Sequence, residues 1–156
     1  MGTMVEFTAN TSGDPGDYLI GERFAKNGAA PLRYMDKPSR DGASADCWSK
    51  RVGSLNVHYS SGVGNHLFYL LSEGSGAKTI NGVSYNSPTC NGSTVTGIGR
   101  DAAAAIWYRA LTTYWTSSTS YAGARAGMLS AAADLYGAGS AQYAATAAAW
   151  SAVNVN

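Results

Sequence analysis

The sequence predicts a mainly α-helical fold, a compact bundle of about four to five helices preceded by an irregular, loop-rich N-terminal segment. Apolar residues recur at helical spacing in four successive stretches after residue 58, and three of those stretches are rich in alanine. By contrast, residues 1–57 crowd turn signals between short apolar pieces. The 156 residues suit one domain with a single core, read as a loop-rich 1–57 and a helical 58–156.

Taken in order, Val5-Glu6-Phe7 reads as the end of a helix, with Asn10-Thr11-Ser12-Gly13 as its terminator and Met1 as a start codon. Asp14-Pro15-Gly16-Asp17, Lys26-Asn27-Gly28 and Arg40-Asp41-Gly42 read as turns. Val63, Leu67, Leu70 and Leu71 then form a helical stripe behind Ser60 and Ser61 as candidate caps, ending at Glu73-Gly74. The glycine-rich span 74–99, with Pro88 and Cys90, reads as a long loop. Ala103, Ile106, Trp107, Ala110, Leu111 and Tyr114 make one broad stripe over about 100–115. Ala124, Met128, Leu129, Ala132, Leu135 and Tyr136 make another, ended by Gly137-Ala138-Gly139. A last helix over about 140–152 turns Tyr143, Ala147, Trp150 and Val153 inward. Alanine both favours helix and lets helices approach closely.

Charged residues are 13% of the chain and the net charge is +1, which gives no electrostatic footprint for nucleic acid or an anionic membrane. No stretch approaches the roughly eighteen apolar residues of a membrane span. The first seven residues lack the pattern of a secretion signal. Cys47 and Cys90 form an even pair in a charge-poor, Gly/Ser/Thr/Tyr-rich sequence, which suggests an extracellular disulfide; two buried free thiols are the alternative. A zinc site on them is disfavoured, because no CxxC spacing occurs.

The two histidines, His58 and His66, stand eight residues apart, the wrong spacing for an HExxH helix. No Walker loop, GxSxG elbow or kinase signature is present. His58, just before the first long helix, either reaches into a cleft or makes a structural hydrogen bond. His66, off the apolar stripe, is expected to be solvated. Arg33 is either a half-buried anchor or a fork for a carbonyl. Glu6, Asp14, Asp17, Glu22 and Asp36 lie in turn-rich chain, as ordinary surface charge or as oxygen ligands for calcium.

Several stretches resemble the thermolysin family of zinc metalloendopeptidases. They are Gly2-Thr3-Met4-Val5-Glu6-Phe7 with Asp17-Tyr18-Leu19-Ile20-Gly21-Glu22, then Pro31 through Gly42, and then Asn56-Val57-His58-Tyr59-Ser60-Ser61-Gly62 running on to Leu71. Gly97 through Asp101, Ile106 through Leu111 and Asp134-Leu135-Tyr136-Gly137 continue the match in order. The resemblance covers essentially the whole chain.

It implies the C-terminal, mainly helical domain of a secreted enzyme whose zinc-binding helix and third glutamate ligand lie upstream of these residues. His58 matches the histidine that donates a hydrogen bond to the oxyanion formed at the scissile carbonyl. Arg33 matches the arginine that binds a substrate carbonyl, and Ile20 with Leu32 match the wall of the apolar primed-side pocket. Family members commonly carry an acidic residue before this histidine; here Gly53 and Asn56 stand at the candidate places, and Asn56 can orient the ring without supplying charge. Glu6 and Asp17 match calcium ligands, with the Leu19 carbonyl and Glu22 as extras, a partial site of weak affinity. The isolated chain is expected to be inactive, with zinc and calcium belonging to the parent enzyme. Its expected partners are the N-terminal zinc-binding half, a peptide or protein substrate, and a protein inhibitor. The competing reading is a non-catalytic binding module that recognises a peptide, an inhibitor or that missing half.

Overall fold

Helix α1, Gly2–Ala9, stops where Asn10 enters the left-handed region at φ 37° and its N–H donates to Glu6 O at 2.8 Å. This is the expected terminator. The computed structural model describes residues 2–24 and 30–156; Met1 and the expected Lys26-Asn27-Gly28 turn lie outside the described residues. A two-residue pair of antiparallel strands follows, β1 Leu19–Ile20 and β2 Arg33–Tyr34, with Ile20 opposite Arg33. Two short 3-10 turns, Pro38–Asp41 and Lys50–Ser54, complete the irregular segment.

The helical part begins with a single turn, α2 Val57–Ser60, and α3 Gly62–Glu73. The expected serine caps do not act. Asn56 supplies the cap instead, its Oδ1 accepting from the His58 N–H at 2.9 Å. Helix α3 is buried nearly all round, with Val63, Leu67, Tyr69, Leu70 and Leu71 at 0% exposure, so it is the central helix of the bundle rather than an amphipathic surface helix.

That position overturns the solvated reading of His66, which is fully buried. Its Nδ1 lies 2.9 Å from Asp46 O, and its Nε2 lies 3.0 Å from Pro88 O and 3.1 Å from Ser87 Oγ. Ser87 Oγ in turn donates to Asp36 O at 2.8 Å. The imidazole thus joins α3 to two stretches of chain that no apolar side chain could satisfy.

The span 74–99 is not one loop. It contains a hairpin, β3 Gly76–Ile80 and β4 Val83–Ser87, in register from Gly76↔Ser87 to Ile80↔Val83. Asn81 and Gly82, at φ 46° and 84°, make the two-residue turn that matches strand twist. After the hairpin a disulfide joins Cys47 to Cys90, with S–S 2.06 Å.

Three helices close the chain: α4 Arg100–Thr113, α5 Tyr121–Tyr136 and α6 Ala141–Ala152. Ser120 and Ser140 cap the last two through the N–H groups of Gly123 and Tyr143. Their small residues allow close approach: a Cβ on Gly127 of α5 would lie 2.8 Å from Trp115 Nε1. The buried stripes are narrower than the sequence suggests, since Leu111, Tyr114, Leu135 and Tyr136 are all exposed. Alanine needs little area to be covered, so Ala103, Ala110, Ala131, Ala132 and Ala149 carry much of the contact.

The irregular segment is fastened to this bundle at Tyr18. Its ring is fully buried, edge-on to Tyr69 with centroids 4.8 Å apart. Its hydroxyl donates to Glu73 Oε1 at 2.7 Å, its N–H donates to Tyr85 Oη at 3.0 Å, and Arg100 donates to the same Glu73 oxygen at 2.8 Å. Burial opposes the Glu73 charge, yet hydrogen bonds from Tyr18, Arg100 and Lys78 hold its carboxyl below the usual range.

Candidate functional site

A cavity of about 270 Å³ opens where α1, the β1–β2 pair and the start of α3 meet. Gly2, Thr3, Ile20, Arg33, Met35, His58, Ser61 and Asn65 line it. The short strand pair sets two of these opposite each other, Ile20 against Arg33, while the Asn56 cap sets His58 in the first turn of α2. His58 is exposed. The Asn56 side-chain oxygen accepts from the backbone N–H of His58, so the contact it makes sets the first turn of α2.

Arg33 is held by three contacts, the first of them its own Nη1 donating to Leu32 O at 2.5 Å. Asp41 Oδ2 lies 3.8 Å from its Nη1, and the Tyr59 ring lies 5.8 Å below its guanidinium. Burial acts against the Asp41 charge, but hydrogen bonds from the Ser44 hydroxyl and the N–H groups of Ser44 and Ala43, together with Arg33, keep its carboxyl below the usual range. Asp41 is therefore a charged anchor that aims Arg33. Leu32 does not line the cavity: it is 52% exposed and packs toward Gly21, where a Cβ would meet its Cδ1 at 2.8 Å.

On the other side of Ile20 lies a cluster of carboxylates. Oxygens of Glu6, Asp17 and Glu22 fall within 4.8 Å of one another. Glu6 Oε1 is buried without a hydrogen-bond partner among the described residues. Burial first, then the charges of Asp17, Glu22 and Asp14, push the Glu6 carboxyl up to about 7. Burial also raises Asp17, although its Oδ1 accepts from the Leu19 N–H at 2.6 Å. Hard oxygen donors, an orphaned buried oxygen and mutual repulsion fit a calcium ion. Asp14, beside the cluster, is ion-paired to Arg23, and Asp36 is ion-paired to Arg40.

No local pattern marks the Asp41 and Tyr59 supports of Arg33 or the contribution of α3: in the sequence Asp41 is part of a turn, and both residues are parts of the family stretches. Ser61 and Asn65 carry a signal, being polar residues four apart at the N-cap and first turns of α3, on one face.

The fold and cavity define a helical domain that presents a histidine and an arginine at the edge of a cleft, beside a carboxylate cluster. The chain belongs to the thermolysin metallopeptidase family, as its alpha-helical domain, with residues 1–155 matched. It is 58% identical over 99% of its length to a transglutaminase-activating metalloprotease of Streptomyces mobaraensis, covering 20% of that protein. It is 45% identical to a bacillolysin of Bacillus cereus and 40% identical to a thermolysin of Alicyclobacillus acidocaldarius subsp. acidocaldarius, over 99% of this chain in each case and 25% and 26% of those proteins. The chain thus spans about a fifth to a quarter of the length of these curated relatives.

Proposed function

We propose that this chain forms the primed-side wall of the active-site cleft of a secreted zinc metalloendopeptidase and supplies its oxyanion-binding histidine. Ile20, Arg33 and His58, distant in sequence, line one cavity, and that convergence carries the reading. Zinc, held in the complete enzyme by residues of the N-terminal half, would supply Lewis acidity at the scissile carbonyl. Ile20 and Met35 offer apolar walls to the substrate side chain after the cleaved bond. Arg33, aimed by Asp41 and Tyr59, presents N–H donors to a substrate carbonyl. His58, free of contacts that would bury it, donates toward the oxygen on which negative charge develops. Leu32, exposed as it is, contributes to the pocket only when the N-terminal half or a substrate covers it.

Glu6, Asp17 and Glu22 would hold calcium together with ligands of the N-terminal half, and would bind it weakly without them. With no HExxH motif in its sequence, the chain alone neither binds zinc stoichiometrically nor hydrolyses peptides. A disulfide suits an extracellular enzyme, and no helix among the described residues is long and apolar enough to cross a membrane. The partners are the zinc-binding half and a peptide or protein substrate, with a protein inhibitor occupying the same cleft.

Kinetics of the complete peptidase separate these roles. Arg33→Ala should raise KM more than it lowers kcat, whereas His58→Ala should lower kcat roughly 10²–10³-fold with a smaller change in KM. Unchanged kinetics in both variants would remove the reading.

A further inference from the structure

Beside the cleft lies a second recess of about 260 Å³, between α3, α4, α5 and α6. Ser61, Gly64, Asn65, Trp107, Trp115, Tyr121, Ala124 and Trp150 line it. Three of the chain's four tryptophans are gathered here, and none of the lining residues is charged. Ser61 and Asn65 line both cavities, so a chain lying in the cleft passes the mouth of this recess.

Its walls are fixed before any ligand arrives. Trp107 stands edge-on to Trp115 at 5.0 Å and to Phe68 at 5.8 Å. The Trp115 indole N–H donates to Ala124 O at 3.1 Å, and the Tyr121 hydroxyl donates to Ser60 O at 2.7 Å. Trp150 is different. It is 1% exposed, yet its indole N–H has no acceptor among the described residues. A buried donor of this kind is costly to leave unpaired. Gly64 keeps one wall open: a Cβ there would lie 3.6 Å from Trp107 and 3.9 Å from the Tyr121 hydroxyl, in ordinary contact without clash.

We propose that this recess is an aromatic-recognition subsite, which receives an uncharged aromatic side chain of a peptide lying in the adjoining cleft. Contact with the partly exposed rings of Trp107, Trp115 and Tyr121, over a floor that includes the buried Trp150, favours a planar ring over an alkyl chain. The proposal rests on the reading of the cleft for its peptide, but not for the ring-binding site itself.

The test uses N-acetyl-tyrosinamide as the probe and the indole N–H resonances of the 156-residue chain as the readout. Binding should perturb Trp107, Trp115 and Trp150 and leave Trp48 unmoved, with a dissociation constant on the order of a millimolar; N-acetyl-alaninamide should do nothing. Gly64→Leu should weaken the probe at least tenfold by filling the recess. Gly64→Ala, which suits a helix better than glycine, should fold and weaken it several-fold, and decides the matter if the leucine variant does not fold. Arg33→Ala should leave the probe's affinity unchanged. No perturbation, perturbation unaffected by either Gly64 variant, or equal loss in Arg33→Ala would each overturn the proposal. If the probe behaves as expected while the kinetic test of His58 and Arg33 fails, the subsite stands and the cleft reading falls.

Discussion

Raising the pH of the metal-free protein should weaken it through Glu6. The folded state lifts this carboxyl from 4.5 to about 7, so between those values the folded chain holds a proton that the unfolded chain has released. The associated stability is present in full below about 4.5 and is lost as pH rises through about 7. The full displacement corresponds to about 3 kcal/mol, and because Glu6 is partly open to water, screening reduces the figure to about 1–2 kcal/mol. Asp17, raised by the same burial, adds in the same direction. Urea denaturation at pH 5 and pH 8.5 in chelator should therefore show wild type losing about 1–2 kcal/mol more than Glu6→Gln, which has no charge to expel. Calcium should reverse the loss in wild type at pH 8.5 and do less for the variant, because it replaces the proton among the same oxygens. Equal pH dependence in the two proteins would refute the electrostatic reasoning. Equal calcium stabilisation would remove Glu6 from the site.

Three further outcomes follow from the packing. His66→Ala should destabilise by about 2–4 kcal/mol in urea titration, since it takes the imidazole from the Asp46 and Pro88 carbonyls and empties a fully buried position. Reducing the Cys47–Cys90 disulfide, whose ends are 43 residues apart, should cost about 4 kcal/mol on the chain-entropy account, read as a shift in the denaturation midpoint. Amide exchange should be slow in α3, α4 and α5 and slow also at Tyr18 and Met35, whose N–H groups donate to Tyr85 Oη and Tyr18 O. Rapid exchange at both would show that the Tyr18 anchor does not hold the irregular segment to the bundle.

The helices were legible because their signals are local. Alanine runs and the glycine after α5 lie within the helices they mark or within a turn of the ends they set, whereas the Ser120 and Ser140 caps emerge only in the structure. The hairpin is hidden in a glycine-rich span that reads as a loop, although Asn81-Gly82 between Ile80 and Val83 is a hairpin-turn signal. His66 was not legible, because its surroundings come from residues 46, 87 and 88, brought to it by the hairpin and the disulfide. The same holds at the cleft. Family resemblance pointed to Ile20, Arg33 and His58, while the Asp41 and Tyr59 supports and the gathered tryptophans depend on tertiary contacts that no spacing encodes.

The most direct measurement compares peptide hydrolysis and bound zinc for the 156-residue chain alone and for the same residues joined to the zinc-binding half. The chain alone should hold no stoichiometric zinc and cleave nothing. The joined protein should carry one zinc and show chelator-sensitive cleavage before apolar residues. Chelator-sensitive cleavage by the chain alone, with one tightly held zinc, would contradict the assignment of these residues to a cleft wall.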